Sequence, residues 1–180
     1  MMSKISLDVV FLGLLAFESC HGYQLLDHFR DANRLATVWN LSTSQLYSTL
    51  KRLEYGEYID GREESSVDAP MRTVYWITEA GRERLDQWLN MPEPSASTRA
   101  VRTEFLSRLY ICRLLKYPTE TILANQKRAC EAHRDILCQQ RDNLREGAGY
   151  LSLDLRVREM TIILDWLESA DRMFTQISTS

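Results

Sequence analysis

Between Ser44 and Arg52, nine positions, the chain carries Ser44, Gln45, Tyr47, Ser48, Lys51 and Arg52, hydrogen-bonding or cationic side chains that can share one side of a helix. Hydroxyls and lysine suit phosphate oxygens, Gln, Lys and Arg suit base edges, and Tyr suits either. No carboxylate falls among them. That chemistry is recognition of a polyanion rather than bond making. The arrangements an enzyme would need are missing: His21, His28 and His133 are the histidines, and none stands beside a G-x-S-x-G elbow, a glycine-rich phosphate loop or an H-E-x-x-H helix. Cys20 next to His21 is a poor nucleophile pair, because adjacent residues at a helix start rarely face each other. His21 reads instead as a phosphate or backbone contact at the start of a helix. Cys130, His133 and Cys138 have spacings at which a metal could be shared. The four cysteines form no C-x-x-C pair, however, and Cys130 and Cys138 read more simply as small buried hydrophobes. Neither a metal nor a cofactor is expected.

The polar cluster needs an element to present it, and the sequence supplies one. Ser42-Thr43-Ser44-Gln45 fits the S-x-x-Q capping box, and Leu46, Leu50 and Leu53 follow at the spacing of a buried helical stripe. Their opposite side presents Ser44, Tyr47, Ser48 and Lys51, with Gln45 and Arg52 at one flank, and Gly56 closes the helix. Ahead of it the pattern predicts an apolar helix from Ile5 to Phe17, a break at Ser19 to His21, and a second helix from Gly22 to about Asp31. The connector from Asn33 to Leu41 is expected to turn Val38, Trp39 and Leu41 inward. Behind it come two short strands, Tyr58 to Arg62 and Arg72 to Ile77, joined by a polar tip from Glu63 to Met71. Thr78 then caps a helix whose Leu85, Trp88 and Leu89 face inward. This is the element order of a winged helix-turn-helix.

Past Met91 to Ser97, a linker by its two prolines and three small residues, the rest reads as helix. Val101, Phe105, Leu109 and Cys112 line one helix, which stops before Pro118. Leu123, Cys130, Leu137 and Leu144 recur every seven residues in the next. Gly147 and Gly149 break it. The last helix carries one stripe through Leu153, Val157, Met160, Leu164, Leu167 and Phe174, and a second through Ile163, Trp166, Ala170, Met173 and Ile177. The chain's own helices can cover one stripe, and the second calls for a partner, most simply the same helix of a second subunit. The expected interface is Leu153, Val157, Met160, Ile163, Leu164, Trp166, Leu167, Met173 and Phe174. The fold class is therefore mainly α: a DNA-binding winged helix-turn-helix with a two-stranded wing over 1–90, a linker at 91–98 and an all-α dimerisation domain over 99–180.

Bulk properties narrow the class without naming it. At 180 residues, with 44% hydrophobic and 26% charged, the chain is globular rather than disordered. Residues 1–90 hold nine Lys/Arg against thirteen Asp/Glu and residues 91–180 hold thirteen against twelve, so any nucleic-acid contact rests on a local patch and not on the overall charge of −3. No apolar run approaches the roughly 20 residues that span a bilayer. Asp8 and Glu18-Ser19 interrupt what would otherwise resemble an export signal, so a cytoplasmic protein without membrane partners is expected.

The combination of His21-Gly22-Tyr23, Ser44-Gln45-Leu46-Tyr47 running into Leu50-Lys51-Arg52-Leu53-Glu54, and Arg72-Thr73-Val74-Tyr75-Trp76-Ile77-Thr78-Glu79-Ala80-Gly81-Arg82 resembles the PadR family of regulators. Leu12-Gly13-Leu14-Leu15 fits the same pattern, and the likeness runs from about residue 5 to residue 90. The helices after Val101 are similar in length and character to the dimerisation domain of the longer PadR subgroup. The resemblance implies a homodimer on double-stranded operator DNA, often a repressor relieved by a small molecule, phenolic acids being the family's namesake effectors. It assigns the DNA contacts to His21, Tyr23, Ser44, Gln45, Tyr47, Lys51, Arg52 and Arg72. Two departures stand out: Glu63, Glu64 and Asp68 make the wing acidic, and Trp76 is large for a strand position that alternation turns away from the core. Trp39, Trp76, Tyr110 and Trp166 exceed what packing within an element needs, and either cement the two domains or suit a planar aromatic effector between the winged helix and the C-terminal helices. The competing expectation is a winged-helix interaction module that reads no DNA, favoured by the negative N-terminal half.

Overall fold

The computed structural model describes residues 7–66 and 69–177. They form two compact units, the first reaching to Asn90 and including Leu106–Tyr117, the second made of Met91–Phe105 and the residues from Pro118 on. The sequence pattern assigns all of 99–180 to the C-terminal half. The stretch 106–117 instead packs into the first unit, because its apolar face finds its counterpart there.

In the first unit α1 (Leu7–Phe17) is apolar almost all round and buried from Asp8 to Leu15. β1 (Cys20–His21) leads into α2 (Gly22–His28), and α3 (Thr43–Tyr55) carries the polar cluster. β2 (Ile59–Ser66) and β3 (Ala69–Ile77) form the wing, and α4 (Glu79–Leu89) follows. The sheet is antiparallel in the order β1-β3-β2, with Cys20 opposite Tyr75 and Ile59 opposite Ile77. Phe11, Leu12, Leu25, Leu35, Leu46, Leu50, Leu53 and Leu85 make the core. α5 (Thr98–Ala100) and a π-helical turn (Val101–Phe105) precede α6 (Leu106–Leu114). α6 closes the unit so tightly on α1 that a Cβ at Gly13 would lie 2.5 Å from Ile111.

Three elements differ from expectation. α2 stops at His28, where the Phe29 amide turns back to the Leu26 carbonyl at 2.9 Å, so the connector starts earlier and buries Leu35 completely, while Val38, Trp39 and Leu41 are half-buried. The wing ladder runs past the expected strand ends, pairing Glu63 with Thr73 and Glu64 with Arg72. The β2 residues of this extension, Glu63 to Ser66, are all polar, so no alternation marks it in the sequence. β1 is two residues long, too short to have a period.

The second unit is an antiparallel pair, α7 (Glu120–Asp142) and α8 (Ala148–Ile177), joined with α5 and the π-helical turn. Leu123, Cys130 and Leu137 of α7 meet Val157, Met160, Leu164 and Leu167 of α8, and all seven are buried. The ion pairs Arg141–Asp154 at 3.2 Å and Lys127–Glu168 at 2.9 Å mark the two ends of the seam. Leu144 lies beyond α7 and is exposed, so the heptad pattern ends one repeat early. Gly147 makes the turn at φ 156°, a conformation that L side chains rarely adopt. No helix among the described residues is long and apolar enough to cross a membrane.

Candidate nucleic-acid interface

The local physics of α3 explains why its face is presented as it is. The Gln45 amide donates to Ser42 Oγ at 3.2 Å while the Ser42 amide donates to Gln45 Oε1 at 3.0 Å, so the box satisfies donors at both ends of the first turn. Leu46, Thr49, Leu50 and Leu53 are buried, which forces Ser44, Gln45, Tyr47, Ser48 and Lys51 outward, and all five are exposed. At the far end Gly56 is the C-cap at φ −84°, and the left-handed residue that turns the chain is Glu57 at φ 58°.

Arg52 departs from the expected arrangement. Its guanidinium turns back along the helix and holds the Asp8 carboxylate with two nitrogens, Nε to Oδ2 at 3.1 Å and Nη2 to Oδ1, while Nη2 also reaches Thr49 Oγ1 at 3.3 Å. Hydrogen bonding to Asp8 raises the Arg52 pKa further above its ordinary value. Arg84 of α4 approaches the same carboxylate at 3.6 Å and stacks on the Tyr58 ring, 4.4 Å from its centroid. Asp8, buried in an apolar helix, thus ties α1 to α3 and α4. This tie is absent from the sequence expectations, where Asp8 only breaks an export-like run. A lone carboxylate in a buried helix was the signal that a cation must lie opposite.

His21, Tyr23 and Arg72, assigned by family resemblance, come together beside α3. His21 is the N-cap of α2: its amide donates to Gln24 Oε1 at 2.8 Å, and its Nδ1 lies 3.2 Å from the Thr73 carbonyl oxygen. The His21 and Tyr23 rings stack at 5.7 Å with 10° between their planes. Arg72 lies 5.3 Å from the Tyr23 centroid and its Nη1 donates to the Tyr23 hydroxyl at 3.4 Å. Gly22 lets this cluster sit close to α3, for a Cβ there would stand 3.0 Å from Leu50 and 3.4 Å from Tyr47. The product is a continuous polar and aromatic surface spanning α2, α3 and β3. Glu63 and Glu64 are exposed on the wing, while Asp68 lies outside the described residues.

The aromatic residues singled out for an effector each have a neighbour within their own unit. Trp39 Nε1 donates to Ser107 Oγ at 2.7 Å, and the Tyr110 hydroxyl lies 2.6 Å from His28 Nδ1. Trp166 sets its ring edge-on to Phe105 at 6.2 Å, and Trp76 is half-buried opposite Asp60. Of the expected interface residues, Val157, Met160, Leu164 and Leu167 are buried within the chain, Leu153 and Ile163 are half-buried and Trp166 is exposed. The side chains of Met173 and Phe174 lie outside the described residues. The apolar face of α8 left open is Leu151, Leu155, Ile162 and Trp166, of which only Trp166 was anticipated.

Three helices, a hairpin and a fourth helix, with a capped third helix showing no carboxylate between Ser44 and Arg52, are the architecture of winged helix-turn-helix transcriptional regulators. Residues 11–87 match the transcriptional regulator PadR-like family. The negative transcriptional regulator PadR of Bacillus subtilis (strain 168) is 28% identical over 109 residues, a match spanning 61% of this chain and 58% of that relative. Among solved structures, Bacillus subtilis PadR in complex with operator DNA is 22% identical over 96% of this chain and 99% of its own, at a TM-score of 0.49. The same protein in complex with p-coumaric acid is 23% identical over 94% and 98%, at a TM-score of 0.43.

Proposed function

We propose that this protein is a cytoplasmic homodimeric regulator that binds duplex operator DNA through α3, represses from that site, and is released by a small effector. The observation that carries the reading is the outward face of α3, where Ser44, Gln45, Tyr47, Ser48 and Lys51 stand exposed with the His21–Tyr23–Arg72 cluster beside them. Hydroxyls, an amide, two phenols and two cations on one surface supply both phosphate anchoring and base readout. Arg52 does not join them in the free protein, since Asp8 holds it. The acidic wing argues for binding centred on the helices rather than on a wing clamp. A second subunit is supported by the open stripe on α8, where Leu151, Leu155, Ile162 and Trp166 are exposed at spacings that share one face. Two such subunits would place two copies of α3 on an inverted repeat, about one helical turn or a multiple apart.

The experiment is a titration of duplexes selected from the source genome against the full chain at several salt concentrations. The regulator reading expects affinity for the selected duplexes to fall steeply as salt rises, because bound phosphates release their counterions. Equal, salt-insensitive or absent binding to all duplexes would overturn it in favour of an interaction module that keeps the winged shape.

A further inference from the structure

Stability alone does not account for Asp8. It is the one polar side chain in α1, and it is 9% exposed there. Well-packed apolar residues often match or exceed the stability of a buried ion pair, so a carboxylate at this position calls for another reason. Its partner supplies one. The Arg52 side chain is 57% exposed, so solvent would carry its charge without Asp8. Arg52 follows Ser48 by one helical turn and Gln45 by two, and both of those stand exposed on the face of α3 assigned to DNA. Released, so long a side chain reaches that face. Held, it turns back along the helix, with Nε and Nη2 on Asp8 and Nη2 also on Thr49 Oγ1. Carboxylate and phosphate accept the same two-pronged donation, so Asp8 occupies the nitrogens that a DNA phosphate would use. The contest is uneven. Asp8 is fixed in the fold and largely out of water, whereas a phosphate of a loosely docked duplex is screened by solvent and salt.

We propose that Asp8 is a specificity-determining positioning residue: by holding Arg52 it withholds one cation of α3 from DNA phosphates and so limits sequence-independent binding. Each phosphate neutralised adds affinity for every duplex alike, and an operator must outcompete a genome of such sites. In an operator complex base contacts fix α3, with Arg52 still turned to Asp8. On unrelated sequence no base contact fixes the helix, so a released arginine would take whichever phosphate lies nearest. The inference rests on the regulator reading and adds to it the residue that restrains binding away from the operator.

The test compares the full chain with its Asp8→Asn, Asp8→Glu, Arg52→Met and Asp8→Asn/Arg52→Met variants, on a selected operator duplex and on a random duplex of equal length, across salt concentrations. Asp8→Asn removes the charge and keeps the shape of the side chain. It should raise affinity for the random duplex by about fivefold and steepen its logarithmic salt slope by about 0.9, the value of one phosphate contact, while operator affinity rises by less than about twofold. In the Arg52→Met background the same change should alter neither affinity nor slope, which separates a released arginine from the mere loss of a negative charge. Asp8→Glu restores the carboxylate, its extra methylene has room in the cavity of about 620 Å³ that Asp8 lines, and wild-type behaviour should return with it. The hold is also readable in the wild type. The Arg52 Nε–H magnetic resonance signal, assigned by its loss in Arg52→Lys, should keep its shift and slow exchange when random duplex is added, and this measurement serves if Asp8→Asn fails to fold. An unchanged slope in Asp8→Asn, an equal gain in the Arg52→Met background, an equal gain for operator and random duplex, or an Arg52 signal that moves on random duplex overturns the proposal. Absent or salt-insensitive binding of every duplex by wild type and Asp8→Asn alike would overturn the regulator reading, and the proposal with it.

Discussion

Lys51 and Arg52 are sequence neighbours with the same charge and different situations. Lys51 stands out from α3 into solvent, whereas Arg52 is folded onto Asp8. Tyr47→Ala and Lys51→Ala should each weaken operator binding, by about 1–3 kcal/mol where the contact is to a base edge, and leave the melting temperature near that of the wild type. Arg52→Ala should do the reverse, lowering the melting temperature, because it strips a buried carboxylate of its main partner. A gel-shift and a thermal melt on the same three proteins decide the matter. His28 adds a pH dependence. Burial, with Arg34 adding to it, holds the His28 pKa below the ordinary 6.5, and the imidazole lies 2.6 Å from the Tyr110 hydroxyl. The fold favours the neutral ring, so the unfolded chain takes up the proton first. Its stabilising contribution is full above pH 6.5 and is lost as pH falls through that value toward the lower folded one. Melting temperature should therefore drop between about pH 7 and pH 5, and drop less in His28→Gln. Equal slopes in the two proteins would remove His28 from the account.

At the scale of elements, the capped helix was legible because its partners are close in sequence: Ser42 and Gln45 reach each other within one turn, and Leu46, Leu50 and Leu53 repeat the helical period. The wing was legible only near its base. Beyond Arg62 strand β2 continues through residues that are all polar, and pairing such as Glu64 with Arg72 leaves no periodic mark. That composition has a consequence for binding. Glu63→Lys replaces a repelling charge by an attracting one, so non-specific DNA affinity should rise, and the salt dependence should steepen by about 0.9 in logarithmic slope if one phosphate contact is gained. An unchanged slope would mean that the wing stays clear of DNA. Gly22→Ala probes the junction of α2 with α3. Its new methyl would meet Leu50 at 3.0 Å, and the expected cost is about 1–3 kcal/mol, read as a lower denaturation midpoint.

For the whole molecule the question is what covers α8. The expected stripe through Val157, Met160, Leu164 and Leu167 is spent on α7, and a different face lies open at Leu151, Leu155, Ile162 and Trp166. Burying each large apolar side chain contributes about 1.5–3 kcal/mol, so four per subunit, counted on both copies, offset much of the cost of association. The wild type should run as a dimer at micromolar concentration, and Leu155→Asp or Ile162→Asp should give monomer or aggregate while the α7–α8 seam stays intact. A wild-type mass of one chain by light scattering would refute the dimer. Leu164→Asp should instead unfold the second unit, since Leu164 belongs to the internal seam.

The sequence by itself determined the order of elements, the cap and polar face of α3, and the apolar stripe of α8 that packs on α7, because each depends on residues within a few turns of one another. Tertiary structure decided which apolar face of α8 stays open, that 106–117 packs with the winged helix, and that a two-residue strand joins the wing. It also decided that Arg52 belongs to Asp8, 44 positions away, and that Arg84 approaches the same carboxylate. A helical wheel shows which way a side chain can point. Which partner it meets depends on elements distant in the chain, and for a long, flexible arginine the nearest buried carboxylate outweighs the wheel.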